Sequence, residues 1–260
     1  MNGDRLASRL LVDPPASGPW NMAVDEVLLA TAAEQGICSL RFYEWSEPTL
    51  SLGYFQPYAA REKHPGSLAC PVVRRASGGG AIVHDRELTY CLAMPLAHPL
   101  AADALRLYTL VHEALTAALA RWQISTALSP GSQLARQEEP FLCFARRAEG
   151  DVVVDHVSGV KSVLSRPKIA GSAQRRRQGA VVQHGSILLS RSEAAPELAG
   201  IEELTGVRLA AAELGAAWQP QLEAGLHLDW RPGALSAAEI AQVRSLAIEK
   251  YDWNGWTRRR

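Results

Sequence analysis

The sequence has no surplus of charge of either sign: 27 Lys and Arg stand against 27 Asp and Glu. A surface that holds phosphates needs a basic excess, so the balance argues against a dedicated nucleic-acid binder. Basic residues gather only in short clusters: Arg74-Arg75, Arg146-Arg147, Arg175-Arg176-Arg177 and Arg258-Arg259-Arg260. No stretch reaches the roughly 18 apolar residues that span a bilayer. Met1 to Asp13, with two arginines and no unbroken apolar run, does not read as a signal peptide. Cysteines are few and far apart, at positions 38, 70, 91 and 143 with no C-x-x-C pair, so neither a disulfide framework nor a zinc site is indicated. The seven histidines show no ligand spacing, and no metal site is expected. Repeats and low-complexity linkers are missing as well. These absences set the expectation of a cytoplasmic protein with no membrane and no nucleic-acid partner.

What is present is ordinary globular material, 47% hydrophobic and 21% charged over 260 residues. That length can bury one large core, or one core with a small helical appendage. Ser8 to Val12 alternates weakly, as a strand does. Pro19 to Gln35 reads as a helix closed by Gly36. Strand patterns follow at Leu40–Trp45, Thr49–Leu52, Val72–Arg75, Ala81–Val83 and Leu88–Met94, with glycines and prolines marking the turns.

Ala102 to Trp122 has the apolar spacing of a helix, and the polar run from Ser125 to Glu139 is expected to be loop. Val152–Val154, Lys168–Gln174 and Ala180–Leu189 return to strand character. From Ser192 on the pattern is helical, and Ser236 with Glu239 forms a capping box ahead of a helix to Tyr251. Strands and helices in this irregular order predict an α+β fold with a largely antiparallel sheet and packed helices. The expected organisation is a catalytic core over residues 1–190, with a short helical C-terminal extension over 191–260 packed on it.

Three segments carry chemistry. The first runs from Arg74 to Asp85 and holds Ser77 and three consecutive glycines, Gly78, Gly79 and Gly80. A glycine triplet costs backbone entropy, and in return lets the chain approach a ligand and aim N–H groups at an oxygen. A plain hairpin turn would also accommodate it, but arginines on one side and His84-Asp85 on the other favour a site. It is no Walker loop, since no Gly-Lys-Ser/Thr follows, and it lacks the dinucleotide fingerprint.

The second segment is Lys168 to Arg175. A strand lysine is ordinarily solvated, yet here Gly171, Ser172 and Ala173 leave a surface on which a slender apolar chain can lie. The third is Cys143, in an apolar island with Arg146 and Arg147 close behind. Most lone cysteines are buried small hydrophobes, and Cys38 and Cys91 read that way. Nearby cations can lower a thiol from about 8.5 to about 7, which makes half of it thiolate at neutral pH.

Taken together these segments resemble the biotin/lipoate A/B protein ligase family over most of the chain. Gly18 to Glu26 looks like its first helix and Pro48 to Gln56 like its second motif. Arg74 to Tyr90 is similar to its acyl-binding glycine loop and following strand. Lys168 to Arg175 is similar to its lysine motif, and Gln183 to Leu189 to the strand after it.

Within that family the Arg-rich loop of biotin ligases is missing. Cysteine-dependent octanoyltransferases of lipoate biosynthesis share Cys143-Phe144, Gly171-Ser172-Ala173-Gln174, Gln183 to Leu189 and the Lys250 to Asn254 tail. Two features depart from that pattern: Ala145-Arg146-Arg147 follows where an acidic or proline-containing turn is usual, and the stretch before Lys168 is long.

The resemblance implies an octanoyltransferase in which Cys143 is the nucleophile and Lys168 the charge-stabilising partner. Arg75, Ser77, Gly78, Gly79, Gly80, His84, Gly171, Ser172 and Ala173 would hold the acyl group. The implied donor is octanoyl-acyl carrier protein, and the acceptor a lipoyl domain or the glycine-cleavage H protein. No cofactor is expected. ATP and magnesium enter only for the alternative, an ATP-dependent lipoate-protein ligase. A noncatalytic acyl-protein or nucleic-acid binding module is a third reading, which the balanced charge, Cys143 and Lys168 speak against.

Overall fold

In a computed structural model, residues 6–131, 140–155 and 166–260 are described. Most of the lengthened stretch before Lys168 and the far end of the expected 125–139 loop lie outside them.

The chain runs β1 (Ser8–Val12), α1 (Gly18–Gln35), β2 (Cys38–Tyr43), β3 (Thr49–Leu52), β4 (Val72–Arg74), β5 (Ile82–His84) and β6 (Glu87–Pro95). It continues through α2 (Ala104–Leu119), β7 (Thr126–Pro130), β8 (Glu149–Val154), β9 (Lys168–Arg177) and β10 (Ala180–Leu188). The remainder is α3 (Ile201–Thr205), α4 (Ala211–Leu226), β11 (Arg231–Pro232), α5 (Ala237–Leu246) and α6 (Asn254–Thr257).

Eight strands form one sheet in the order β11-β1-β2-β6-β10-β9-β8-β7, antiparallel except for the β11–β1 and β1–β2 pairs. A smaller sheet, β4-β3-β5, stands beside it. The α+β, largely antiparallel architecture read from the sequence is the one observed.

Why β6 is apolar from Tyr90 to Met94 follows from its place inside the large sheet. Tyr90, Leu92 and Met94 enter the core under α2 and α4, while Cys91 and Ala93 enter the core under α1 and α5. Side chains alternate faces with a period of two, so the stretch covered on both sides is apolar at successive positions. On the first face Trp218 of α4 stacks on Phe42 and meets Tyr90 edge-on, with ring centroids 5.7 and 4.8 Å away. Each such aromatic contact adds about 0.5–1.5 kcal/mol to the burial itself.

Two expectations need correction. Thr126–Pro130, assigned to loop, is the edge strand β7, paired antiparallel with β8. An edge strand keeps one side in water and tolerates proline, so its polar sequence hides the pairing. The segment after Ser192, read as helical throughout, also contributes β11, which pairs parallel with β1.

The capping box of α5 is in place: Ser236 Oγ accepts from the Glu239 N–H, and the Ser236 N–H donates to Glu239. The same carboxylate is clamped by Arg9 of β1 and Thr31 of α1. Among the described residues no helix is long and apolar enough to cross a membrane.

Candidate active site

A cleft of about 430 Å³, measured out to its mouth, opens where the small sheet meets β9 and β10 of the large one. Its walls hold Arg75, Gly79, His84, Cys143, Gly171, Ser172 and Ala173 of the residues singled out above.

Cys143 is set there by the backbone. Its N–H donates to Ala81 O at 2.7 Å, and the Ala81 N–H donates to Phe141 O. The segment after the glycine loop therefore grips the cysteine segment on both sides. A Cβ on Gly80 would lie 3.1 Å from the Cys143 Cα and 2.9 Å from the Arg146 Nε, so only glycine permits this approach. Gly79 has φ +94°, which side chains other than glycine's adopt at a penalty.

The other three thiols are buried. Burial pushes Cys38 up to about 12 and also raises Cys70 and Cys91, so those three stay protonated. Cys143 alone is partly exposed.

Lys168, buried at the start of β9, extends along the cleft wall and places Nζ 3.7 Å from Cys143 Sγ and 3.5 Å from Cys143 O. Its ammonium pairs with Asp151 at 2.8 Å, both side chains almost wholly buried. Asp151 also accepts from Tyr108 Oη and from the Ala148 N–H. Sequence reasoning missed Asp151; the available signal was an acid at the head of a strand whose next three residues are all valine.

Arg146 and Arg147, expected to act on the thiol, turn instead to backbone. Arg146 Nε donates to Pro140 O, and Arg147 donates to the carbonyls of Phe144, Arg146 and Arg166. Lys168 brings its own cation to 3.7 Å from Sγ.

Arg74 and Arg75 brace the backbone on either side of the glycine loop, and Arg75 also lines the cleft. Arg74 donates to the carbonyls of Gly53, Gln56 and Thr257. Arg75 donates to Ser51 O and Oγ and to the carbonyls of Gly78 and Gly80. Burial, with no carboxylate against it, lowers the Arg75 guanidinium to about 10.

The far wall carries polar residues yet presents mainly carbon to the cleft. Their polar atoms are occupied behind it. Glu87 Oε1 accepts from His84 Nδ1, Thr89 Oγ1 and Ser186 Oγ, while His84 Nε2 meets Ser51 Oγ and its ring stacks on Trp45. Glu87 Oε2 is buried without a partner, but the polar atoms of His84, Thr89 and Ser186 are turned from the cleft, and the wall they leave accepts an aliphatic chain.

Ser172 Oγ is likewise engaged, by His112 Nε2 and Tyr90 Oη at 2.7 Å each. Ser77 lies not on this cleft but on an adjoining cavity of about 360 Å³, which shares Met22 and His184 with it. There Ser77 Oγ is 2.5 Å from His184 Nε2, and His184 Nδ1 is 2.9 Å from Asp25 Oδ2. Among the described residues no group of three or more His, Cys, Asp or Glu is arranged to hold a metal ion.

Octanoyltransferase LipM of Halalkalibacterium halodurans is 31% identical over 93% of this chain and 95% of that protein. Octanoyltransferase LipM of Macrococcus caseolyticus is 30% identical over 96% and 98%. Among solved structures, a protein of T. acidophilum with bound lipoic acid superposes with a TM-score of 0.76 at 20% identity, covering 98% of this chain and all of the other. Lipoate-protein ligase A bound with ATP superposes at 0.73 and 20%, covering 97% and 99%. These two likenesses speak for the fold. The model of the lipoyl protein ligase A/B catalytic domain matches residues 17–198, and the chain belongs to that family.

Proposed function

We propose that the protein is an octanoyltransferase of lipoate biosynthesis, working through a thioester on Cys143. One observation carries the reading: a partly exposed thiol with a buried lysine 3.7 Å from its sulfur, at an apolar cleft, in a chain about 30% identical to octanoyltransferases.

Octanoyl-acyl carrier protein would present its thioester at the mouth of the cleft. Cys143 Sγ attacks the carbonyl, the new C–S bond forms, the donor C–S bond breaks, and the thiol proton ends on the departing sulfur. Lys168 stabilises the anionic charge that passes from sulfur to carbonyl oxygen and back. Asp151 holds that ammonium in place. Among the described residues no backbone acceptor takes the N–H groups of Gly78, Gly79 or Gly80, which supports a share for them in holding the oxyanion. A lysine amine of a lipoyl domain or the glycine-cleavage H protein then attacks, the C–N bond forms, and Cys143 is released.

No nucleotide enters this scheme.

The test is transfer from octanoyl-carrier protein to an acceptor domain with ATP and magnesium omitted. Without acceptor, the enzyme should carry one hydroxylamine-labile octanoyl group, absent in Cys143→Ala and retained in Cys38→Ala, Cys70→Ala and Cys91→Ala. Activity only with free octanoate or lipoate plus ATP would instead identify a lipoate-protein ligase.

A further inference from the structure

The acyl-enzyme scheme leaves one proton without a destination. An acceptor lysine is an ammonium at neutral pH, with a pKa near 10.4, and cannot attack until it is deprotonated. Lys168 is a poor recipient, because it is itself a cation paired with Asp151. His84 makes the same pair of contacts as His184, with a carboxylate (Glu87) and a serine (Ser51), but Ser51 lines neither the cleft nor the cavity beside it.

His184 is placed differently. It lies on the wall of the cleft that holds Cys143 and also on the adjoining cavity that holds Ser77. Asp25, behind it, is ionised. Burial pushes that carboxyl up, but bonds from His184, Arg41 and Tyr43 outweigh burial and lower it overall. A carboxylate only accepts, so the His184 Nδ1 carries the proton it shares with Asp25. Nε2 is then the acceptor, and Ser77 Oγ donates to it. The lone pairs of Ser77 Oγ remain to receive a proton.

We propose that Ser77, His184 and Asp25 form the proton relay of the second half-reaction. This rests on the acyl-enzyme reading above. As the acceptor nitrogen approaches the thioester from the side of the adjoining cavity that Ser77 lines, one of its protons passes to Ser77 Oγ while the Ser77 proton moves to His184 Nε2. Asp25 stabilises the resulting imidazolium. The amine attacks, the C–N bond forms and the C–Sγ bond breaks. A second proton of the nitrogen ends on Cys143, and His184 returns its proton to water. Ser77 is the group that meets the amine; His184 and Asp25 act through it. The other charged groups that line the two cavities with His184 are Glu26, Arg175 and Arg177 in one and Arg75 in the other, and Arg41 reaches it through Asp25.

The experiment compares two deacylation rates of one loaded enzyme. Octanoyl-Cys143 protein is mixed either with an acceptor domain bearing a lysine ammonium, or with hydroxylamine, which is already unprotonated at neutral pH. General-base assistance is typically worth 10²–10⁴ in rate. His184→Gln should therefore lower the lysine-to-hydroxylamine ratio by about 100-fold or more. Ser77→Ala, a smaller change, should lower it in the same direction and decides the matter if His184→Gln does not load. A structural role would slow both nucleophiles together, so an unchanged ratio in both variants overturns the relay alone. Octanoyl found as an ester on Ser77 in Cys143→Ala would make Ser77 a nucleophile and also overturn it. Wild-type protein that never loads Cys143 would overturn the acyl-enzyme and the relay together.

Discussion

Gly171 and Lys168, three residues apart on β9, share one volume: a Cβ on Gly171 would lie 2.5 Å from Nζ and 2.4 Å from Cε of the lysine. The absence of a side chain at 171 is what lets the ammonium lie along the strand and reach Cys143. In Gly171→Ala the lysine head must move. Loading of octanoyl on Cys143 should slow at least tenfold, about 1.4 kcal/mol in the barrier. Wild-type loading kinetics in this variant would show that the position of Nζ is immaterial.

The Lys168–Asp151 pair is buried, and breaking such a pair from one side leaves a charge without compensation. Asp151→Asn and Lys168→Met should each lower stability by about 3–5 kcal/mol in urea titrations. The double variant should recover most of that loss, since a buried pair replaced by neutral groups is often tolerated. Turnover should not return with it. Lys168→Arg keeps the charge, yet its wider head has no room beside Gly171, and turnover should fall at least tenfold. Recovery of activity in the double variant would reduce the pair to a structural element.

Carbon lines the cleft because the polar atoms of His84, Thr89 and Ser186 are bound to Glu87 behind the wall. Each methylene buried against such a surface contributes about 0.8 kcal/mol. Shortening the donor from octanoyl to hexanoyl should cost about 1.6 kcal/mol, on the order of fifteenfold in affinity. A competition between acetyl, hexanoyl and octanoyl donors reads this directly, and equal use of all three would exclude an acyl slot.

His112 of α2 is buried between Gly150 O and Ser172 Oγ, and burial lowers its imidazole to about 4 from an ordinary 6.5. Between those values the unfolded chain binds a proton that the folded one refuses. Stability is thus complete above pH 6.5 and declines as pH falls toward 4, by up to about 3 kcal/mol. Denaturant unfolding across that window should show the slope in the wild type and a flatter one in His112→Gln. Equal slopes would mean that the imidazole is charged in the fold.

Much of the architecture is legible without coordinates because it is locally encoded. Pro19 to Gln35 carries its own helix-ending glycine, Ser236 and Glu239 their own cap, and Leu88 to Met94 the largely apolar pattern of a strand covered twice. β7 escaped because an edge strand needs little hydrophobic signal, and β11 because two residues carry no period. The same locality limits the site. The glycine triplet, Cys143 and the β9 lysine stand out by composition, but the partners that hold them do not.

What the sequence determined by itself is which segments become strand or helix, and which residue types are candidates for chemistry, since propensity and periodicity act over a few neighbours. Tertiary structure alone decided the pairings. Lys168 meets Asp151 only because β8 and β9 are adjacent. Ser77 meets His184 across 107 residues, and His184 meets Asp25 across 159. Such contacts follow from how a sheet orders its strands and which helix covers them. That is a property of the packed whole, in which a buried carboxylate is tolerated only where a distant donor arrives to meet it.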